Sequence, residues 1–258
     1  MILSRSRLFR IVAMMTTLTG CITAGGQHGN GARWPDAGET WQAAKTAALE
    51  PGTWVPVAAA GLLTINNADE RLTEWAIDHQ PLFGNDADDL SNDLQKATTG
   101  LWLATGVIAP AESAGDKLAR LSAGVGAVLL TGGIELSLKE AVGRERPNGK
   151  NSNSFPSGHA GRTQALATMT EYNLRAMDLS DPARIGIMAT SQLLAAGTAW
   201  ARVEAGKHHV NDVLIGSAIG HFIAAFVREA FFSGSAGAVA LEFQSLDGGG
   251  ALTVSLRH

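Results

Sequence analysis

Along most of the chain, apolar positions return every three to four residues, the period of a helix face. That pattern predicts helices over Thr40–Ala48, Thr53–Ile65, Asp69–His79, Asp88–Ala111 and Ser113–Val142. Three more are expected over Gly158–Met177, Pro182–Trp200 and Val210–Phe232. Several of these are rich in small residues, as in Ser122-Ala-Gly-Val-Gly-Ala-Val and Gly216-Ser-Ala-Ile-Gly220. Small side chains let helix backbones approach closely, so the expected fold class is all-α, a compact helical bundle. The period changes at the C-terminal end. Val239, Leu241 and Phe243 alternate with Ala240, Glu242 and Gln244. A Gly-rich run from Asp247 to Gly250 follows, and then Leu252, Val254 and Leu256 alternate again. Period-two patterning around such a turn predicts a short β-hairpin.

Composition sharpens the picture at the other end. Arg5, Arg7 and Arg10 precede an apolar stretch from Ile11 to Leu18, the layout of a secretory signal. The segment closes Leu18-Thr19-Gly20-Cys21, which resembles the lipobox of bacterial lipoproteins, and Cys21 is the only cysteine in the chain. An ordinary secretory signal with an incidental cysteine is the plainer alternative. The expected organisation is a lipoprotein signal peptide over 1–20, a Gly-rich tether over 21–39, a helical domain over 40–235 and the hairpin over 236–258. Acylation of Cys21 would attach the protein to the bacterial cell envelope, facing the periplasm. Ile22 after the cysteine favours the outer membrane.

The 258 residues are 45% hydrophobic and only 17% charged. The longest apolar run, Val213–Val227, carries His221 and falls short of the roughly 18 residues a bilayer crossing requires. With a mean hydropathy of +0.07, the helices read as the core of a globular domain, with a membrane-embedded bundle as the alternative. A net charge of −4 offers no basic field, so nucleic acid is not an expected partner.

Three separated segments carry the chemistry. In Lys139-Glu-Ala-Val-Gly-Arg-Glu-Arg146-Pro147, the two outer cations stand two helical turns apart and can share a face, with Pro147 stopping the helix just after. Ser154-Phe-Pro156-Ser157-Gly158-His159-Ala160 opens a helix, where backbone N–H groups and a hydroxyl can meet an anion. In Arg202-Val-Glu-Ala-Gly-Lys-His208-His209-Val-Asn-Asp212, the four-residue spacing can set a carboxylate against one imidazole nitrogen, leaving the other free. Each segment alone has a bland reading: a solvated basic helix end, a serine N-cap, a structural His–Asp pair. Asp86, Asp88, Asp89 and Asp93 look like a cation loop, but they lack the glycine and final glutamate of an EF-hand. Acidic residues at a helix N-terminus are the better account. His28, His79, His221 and His258 have no motif around them and are expected in surface or core roles.

Taken together, the segments resemble the type 2 phosphatidic acid phosphatase superfamily, which includes bacterial class A acid phosphatases and vanadium haloperoxidases. The family pattern is Lys-x6-Arg-Pro, Pro-Ser-Gly-His and Ser-Arg-x5-His-x3-Asp. The chain matches at Lys139, Arg146, Pro147, Pro156, Ser157, Gly158, His159, Arg202, His208 and Asp212. Ala201 stands where the family usually has serine. The resemblance implies a phosphatase acting on phosphomonoesters or diphosphates, of lipids above all, with no cofactor and no metal. His208 would attack phosphorus, Asp212 would orient it, and His159 would protonate the leaving oxygen and then activate water. Lys139, Arg146, Ser157, Gly158 and Arg202 would bind the phosphate. His209, about 100° round a helical turn, is not the expected nucleophile. A vanadium-type haloperoxidase and a non-catalytic phospholipid-binding envelope lipoprotein are the alternatives. The expected partners are a phosphorylated lipid or small phosphoester, and the membrane through acylated Cys21.

Overall fold

The computed structural model describes residues 31–233, together with the backbone of two short segments nearer the C-terminus. Eight α-helices run through the described residues: α1 Ala37–Leu49, α2 Pro51–Leu63, α3 Ala68–His79, α4 Ala87–Ile108, α5 Ala114–Val142, α6 Gly158–Arg175, α7 Asp181–Glu204 and α8 Val210–Phe232. Each overlaps one predicted helix. The local start and stop chemistry explains the bounds. Asp36 accepts from the Glu39 amide and Glu39 returns to the Asp36 amide, closing the reciprocal cap that begins α1. Gly143, at φ +60°, ends α5 in the left-handed conformation that glycine adopts without a Cβ clash.

Helix α6 is the centre, packed against α4, α5, α7 and α8. It is not strongly apolar, yet it buries Thr163, Thr168, Thr170 and Asn173. Two of its threonines enter the core because their hydroxyls are satisfied locally. Thr163 donates to the His159 carbonyl at 2.8 Å and Thr170 to that of Leu166 at 2.9 Å. On one side of α6 lie Trp102, Ala127, Leu166, Met169, Ile223 and Val227, and towards the other end Ala76, Ala160, Val203, Val210 and Val213. Gly124 makes the slot for the indole, since a Cβ there would stand 2.3 Å from Trp102 Cζ2. Closer still is the crossing of α6 and α8. A Cβ on Gly216 would lie 2.5 Å from the Ser157 carbonyl oxygen, and one on Gly220 2.0 Å from that of Gly161. The two glycines of Gly216-Ser-Ala-Ile-Gly220 therefore bring backbone against backbone, as the run of small residues predicted.

Two helices correct the reading of apolar length. Ala114–Val142 and Val210–Phe232 each contain an 18-residue window of mean hydropathy 1.6, long and apolar enough to cross a membrane. The α8 window is mostly buried in the bundle, at 61%, whereas that of α5 is buried only to 33%. Along α5, Leu118, Val125, Leu129 and Leu136 form an exposed stripe. Lone polar residues inside such helices broke the apolar runs in the sequence without lowering the mean enough to matter.

The predicted signal peptide, Cys21 and most of the tether lie outside the described residues. So do the side chains of the C-terminal segment, where the backbone of β1 Val239–Leu246 and β2 Gly249–Leu256 runs antiparallel.

Candidate active site

The three segments converge where α5 ends and α6 and α8 begin. Lys139 lies in the last turn of α5 and extends its Nζ to the carbonyls of Asn153, at 3.1 Å, and Pro156. Burial lowers its pKa to about 8, with Glu135 and Asp212 opposing the fall and Arg146 and Arg162 adding to it. Arg146 does not share a helical face with Lys139, as the spacing suggested. The helix stops at Val142, and Arg146 sits in the following loop, its amide bonded to the Asn151 carbonyl at 2.9 Å. The left-handed turn at Gly143 delivers the second cation instead.

Ser157 precedes α6 as its N-cap residue but caps nothing. Its hydroxyl is fully buried and has no hydrogen-bond partner among the described residues. An orphaned buried hydroxyl costs about 1–3 kcal/mol, and this one stands at the N-terminus of α6 with its donor unused by the protein. Gly158 and His159 open the helix beside it. His159 Nε2 donates to Asn92 Oδ1 at 3.0 Å, and Asn92 is itself oriented by donating to the Asp88 carbonyl at 3.1 Å. Burial, with Arg202 and Arg162 nearby, lowers the His159 pKa to about 4. A cavity of about 320 Å³ lined by Asn92, Gln95, Lys96 and Thr99 opens beside this pair.

Helix α7 ends through Gly206, at φ +62°, and the turn folds the His208 amide back onto the Arg202 carbonyl at 3.3 Å. Arg202 and His208 are thus neighbours, both buried. His208 is 2% exposed. Its pKa is driven far below the ordinary range by burial, then by Lys139 and Arg202, with Arg146 adding a smaller push. The three basic residues chosen from the sequence therefore all act on this one imidazole.

The His208–Asp212 relation differs from the expected one. His208 precedes α8, so the two are not on one helix, and Nδ1 lies 4.0 Å from the nearest Asp212 oxygen. Nδ1 instead donates to the backbone carbonyl of Ser154 at 2.6 Å. A carbonyl only accepts, so the proton is fixed on Nδ1 and the Nε2 lone pair is left available. Asp212, fully buried, accepts from Ser154 Oγ at 2.5 Å, from the His209 amide at 2.8 Å and from Arg144 at 2.9 Å. It holds the residue that holds His208. His209 is half-buried, its Nε2 donating to the Glu145 carbonyl at 3.2 Å. His221 takes a core role, bonded to Thr168 and Glu50, and His79 a surface one, stacked on Trp75.

Sequence reasoning missed a fourth segment. Asp88 was read as a helix N-terminal acid, and it does stand in the first turn of α4. It also pairs with Arg202 at 2.6 Å and Lys207 at 2.7 Å, while Ser91 accepts from Arg202 at 3.1 Å. Arg202 lies 114 residues further along. Nothing local in Asp88-Asp-Leu-Ser91-Asn92 signals that distance. The acidic run held the signal, and helix-dipole logic explained it away.

Residues 121–233, which hold all three motifs, match the family model of the PAP2 superfamily. This segment belongs to that superfamily. Asp69, Asp88 and Asn92 fall outside the matched PAP2 segment. The chain is also similar to a lipid A 1-phosphatase of Porphyromonas gingivalis, at 29% identity over 168 residues covering 64% of this chain. It spans only 35% of that relative's length. Among solved structures, a transmembrane PAP2-type phosphatidylglycerolphosphate phosphatase from Bacillus subtilis superposes with a TM-score of 0.51 at 20% identity. The match covers 68% of this chain and 91% of that one, and it places the helical bundle in the PAP2 fold.

Proposed function

We propose that this protein is a PAP2-type phosphoric ester hydrolase that forms a phosphohistidine at His208, with a phosphorylated lipid as substrate. The observation that carries the reading is the setting of His208: it is buried, its Nδ1 donates to the Ser154 carbonyl, and burial with the charges of Lys139, Arg202 and Arg146 favours the neutral ring. A neutral imidazole with a free Nε2 is a nucleophile, and three cations around it suit a phosphoryl group. Ser157 Oγ and the first amides of α6, at Gly158, supply further donors to its oxygens. As charge develops on the attacking ring, Asp212 at 4.0 Å stabilises it without accepting its proton. His159 delivers a proton to the leaving oxygen on the side of the α4 cavity, then accepts one from the hydrolytic water.

The lipid preference rests on the similarity to a lipid A 1-phosphatase and on the exposed apolar stripe of α5. Acylation at Cys21, placement in the outer membrane and the C-terminal hairpin stay within the proposal, supported by the residues around them in the sequence. The test is turnover of phosphatidic acid, phosphatidylglycerol phosphate and lipid A in mixed micelles, with phosphate release measured. His208→Ala abolishes it and His209→Ala leaves most of it. The reverse pattern overturns the assignment.

A further inference from the structure

We propose that Arg144, clamped by Asp69 on α3, is a positioning residue that fixes the His208 imidazole for attack. The inference rests on His208 being the nucleophile. Arg144 lies in the loop after α5, and both ends of its guanidinium are occupied. Nη1 donates to Asp212 Oδ1 at 2.9 Å, and Nη2 donates to Asp69 Oδ2 at 2.7 Å with Glu70 at 3.7 Å. It therefore has no fork left to grip a phosphate, unlike Arg202 and Arg146, whose buried Nε atoms lack partners among the described residues.

What Arg144 does hold is the backbone that sets the nucleophile. Its own carbonyl accepts from the Ser154 amide at 3.0 Å, while its side chain holds Asp212, which takes the Ser154 hydroxyl at 2.5 Å. Ser154 is thus pinned by its amide and its hydroxyl, and its remaining carbonyl accepts from His208 Nδ1. The side-chain hydrogen bond that orients the ring ends on Ser154, and two of the four that orient Ser154 or the Asp212 carboxylate come from Arg144, the others being the Ser154–Asp212 bond itself and the His209 amide. Asp69 completes the clamp from outside the family segment. Its Oδ1 accepts from the Asn211 amide at 2.8 Å, and Thr73, one turn along α3, accepts from the Val210 amide at 3.2 Å. Helix α3 thereby caps the N-terminus of α8, directly after His208 and His209, and aims Arg144 at Asp212.

Asp69 and Asp212 are both buried, at 3% and 0% exposure, and would repel each other without the guanidinium between them. A planar fork can hold two carboxylates at fixed angles, whereas an ammonium is a single point of charge. Arg144→Lys therefore keeps the charge and loses the geometry.

The experiment compares Arg144→Lys, Arg144→Ala and Asp69→Asn with wild type, on the lipid phosphate that wild type turns over best. Thermal unfolding, kcat, KM and the rate of phosphohistidine formation after rapid acid quench are measured. The expected result for folded protein is a fall in kcat and in phosphohistidine formation of about 10²-fold for Arg144→Ala and about tenfold for the other two, the scale set by misplacement of a reacting group. KM stays within about twofold, and millimolar guanidinium restores part of the Arg144→Ala rate. If Arg144→Ala does not fold, Asp69→Asn decides, because its amide oxygen still caps Asn211. An unchanged kcat per folded molecule, or a raised KM at constant kcat, overturns the proposal. Wild-type turnover without a phosphohistidine, or with His208→Ala still active, overturns the nucleophile reading itself and this inference with it.

Discussion

The crossing of α6 and α8 makes a quantitative demand that Gly220→Ala tests. A Cβ at residue 220 would stand 2.0 Å from the Gly161 carbonyl oxygen, 2.8 Å from its carbon and 3.0 Å from its Cα. All three are backbone atoms of a neighbouring helix, so no side chain can rotate away. Ordinary contact begins near 3.4 Å, and the helices must part by about 1.4 Å locally or bend. Overpacking of that kind costs about 1–3 kcal/mol. The functional cost exceeds the stability cost. Helix α6 begins with Ser157, Gly158 and His159, and its entry is tied to α8 by the Ser157 amide donating to the Asp212 carbonyl at 2.9 Å. Parting the helices shifts the donors on α6 relative to His208, and a displacement of about 1 Å at a reacting centre can cost about 10²-fold. Gly133→Ala and Gly186→Ala are the controls. Both sites are helical and a Cβ would meet nothing within 4 Å, so each should gain about 0.5–1 kcal/mol from helix propensity. Thermal unfolding and phosphate release on purified variants give both readouts. Wild-type melting and turnover for Gly220→Ala, or a loss in the controls equal to its own, would refute the reasoning.

Other outcomes follow from the same geometry. Ser157→Ala removes a buried hydroxyl without a partner, so the melting temperature should hold or rise while kcat/KM falls at least about tenfold; a fall in both would make the hydroxyl structural. Burial, then Arg202 and Arg162, lower the His159 pKa to about 4, and a bound phosphate anion would offset the two arginines. The alkaline limb of kcat should therefore lie above that of kcat/KM, and coincident limbs would count against His159 as the acid. Glu135, buried beside Gly161, has its pKa raised to about 8 by desolvation, with Arg162 and Lys139 opposing. A raised folded-state pKa gives stability that is full below 4.5 and lost as pH climbs through 8, so Glu135→Gln should flatten the melting temperature over that window. Cys21→Ser should move the protein from the membrane fraction to the soluble one, and retention would leave the apolar helices as its hold on the bilayer.

Membrane association shows how far apolar patterning could be followed. Two helices, α5 and α8, are long and apolar enough to cross a bilayer, although no unbroken apolar run in the sequence is. The unbroken-run criterion failed because Glu135 inside α5 interrupts the run while facing inward, between Gly158 and Gly161. Whether a polar residue breaks an apolar surface depends on which side of the helix it occupies, and that is settled by the neighbours.

The sequence by itself determined what depends on near neighbours along the chain. The helices came from a period of three to four residues, and the capacity for close helix packing from small-residue runs such as Gly216–Gly220, although which helix they meet did not. The cations, the serine and the histidines came from motifs whose order and spacing are their signature. Only the tertiary structure decided which atom faces which. Arg146 reached the site through a left-handed turn at Gly143 rather than along a helix face. The proton on His208 is fixed by a main-chain carbonyl, Ser154, which no residue type announces. Asp69, Asp88 and Asn92 joined from helices α3 and α4, at separations of 67 to 142 residues from the groups they touch. A lone carboxylate or amide early in a helix looks the same in sequence whether it faces water or a buried guanidinium. The physical difference lies in burial and in the partner, and both exist only once the bundle has closed.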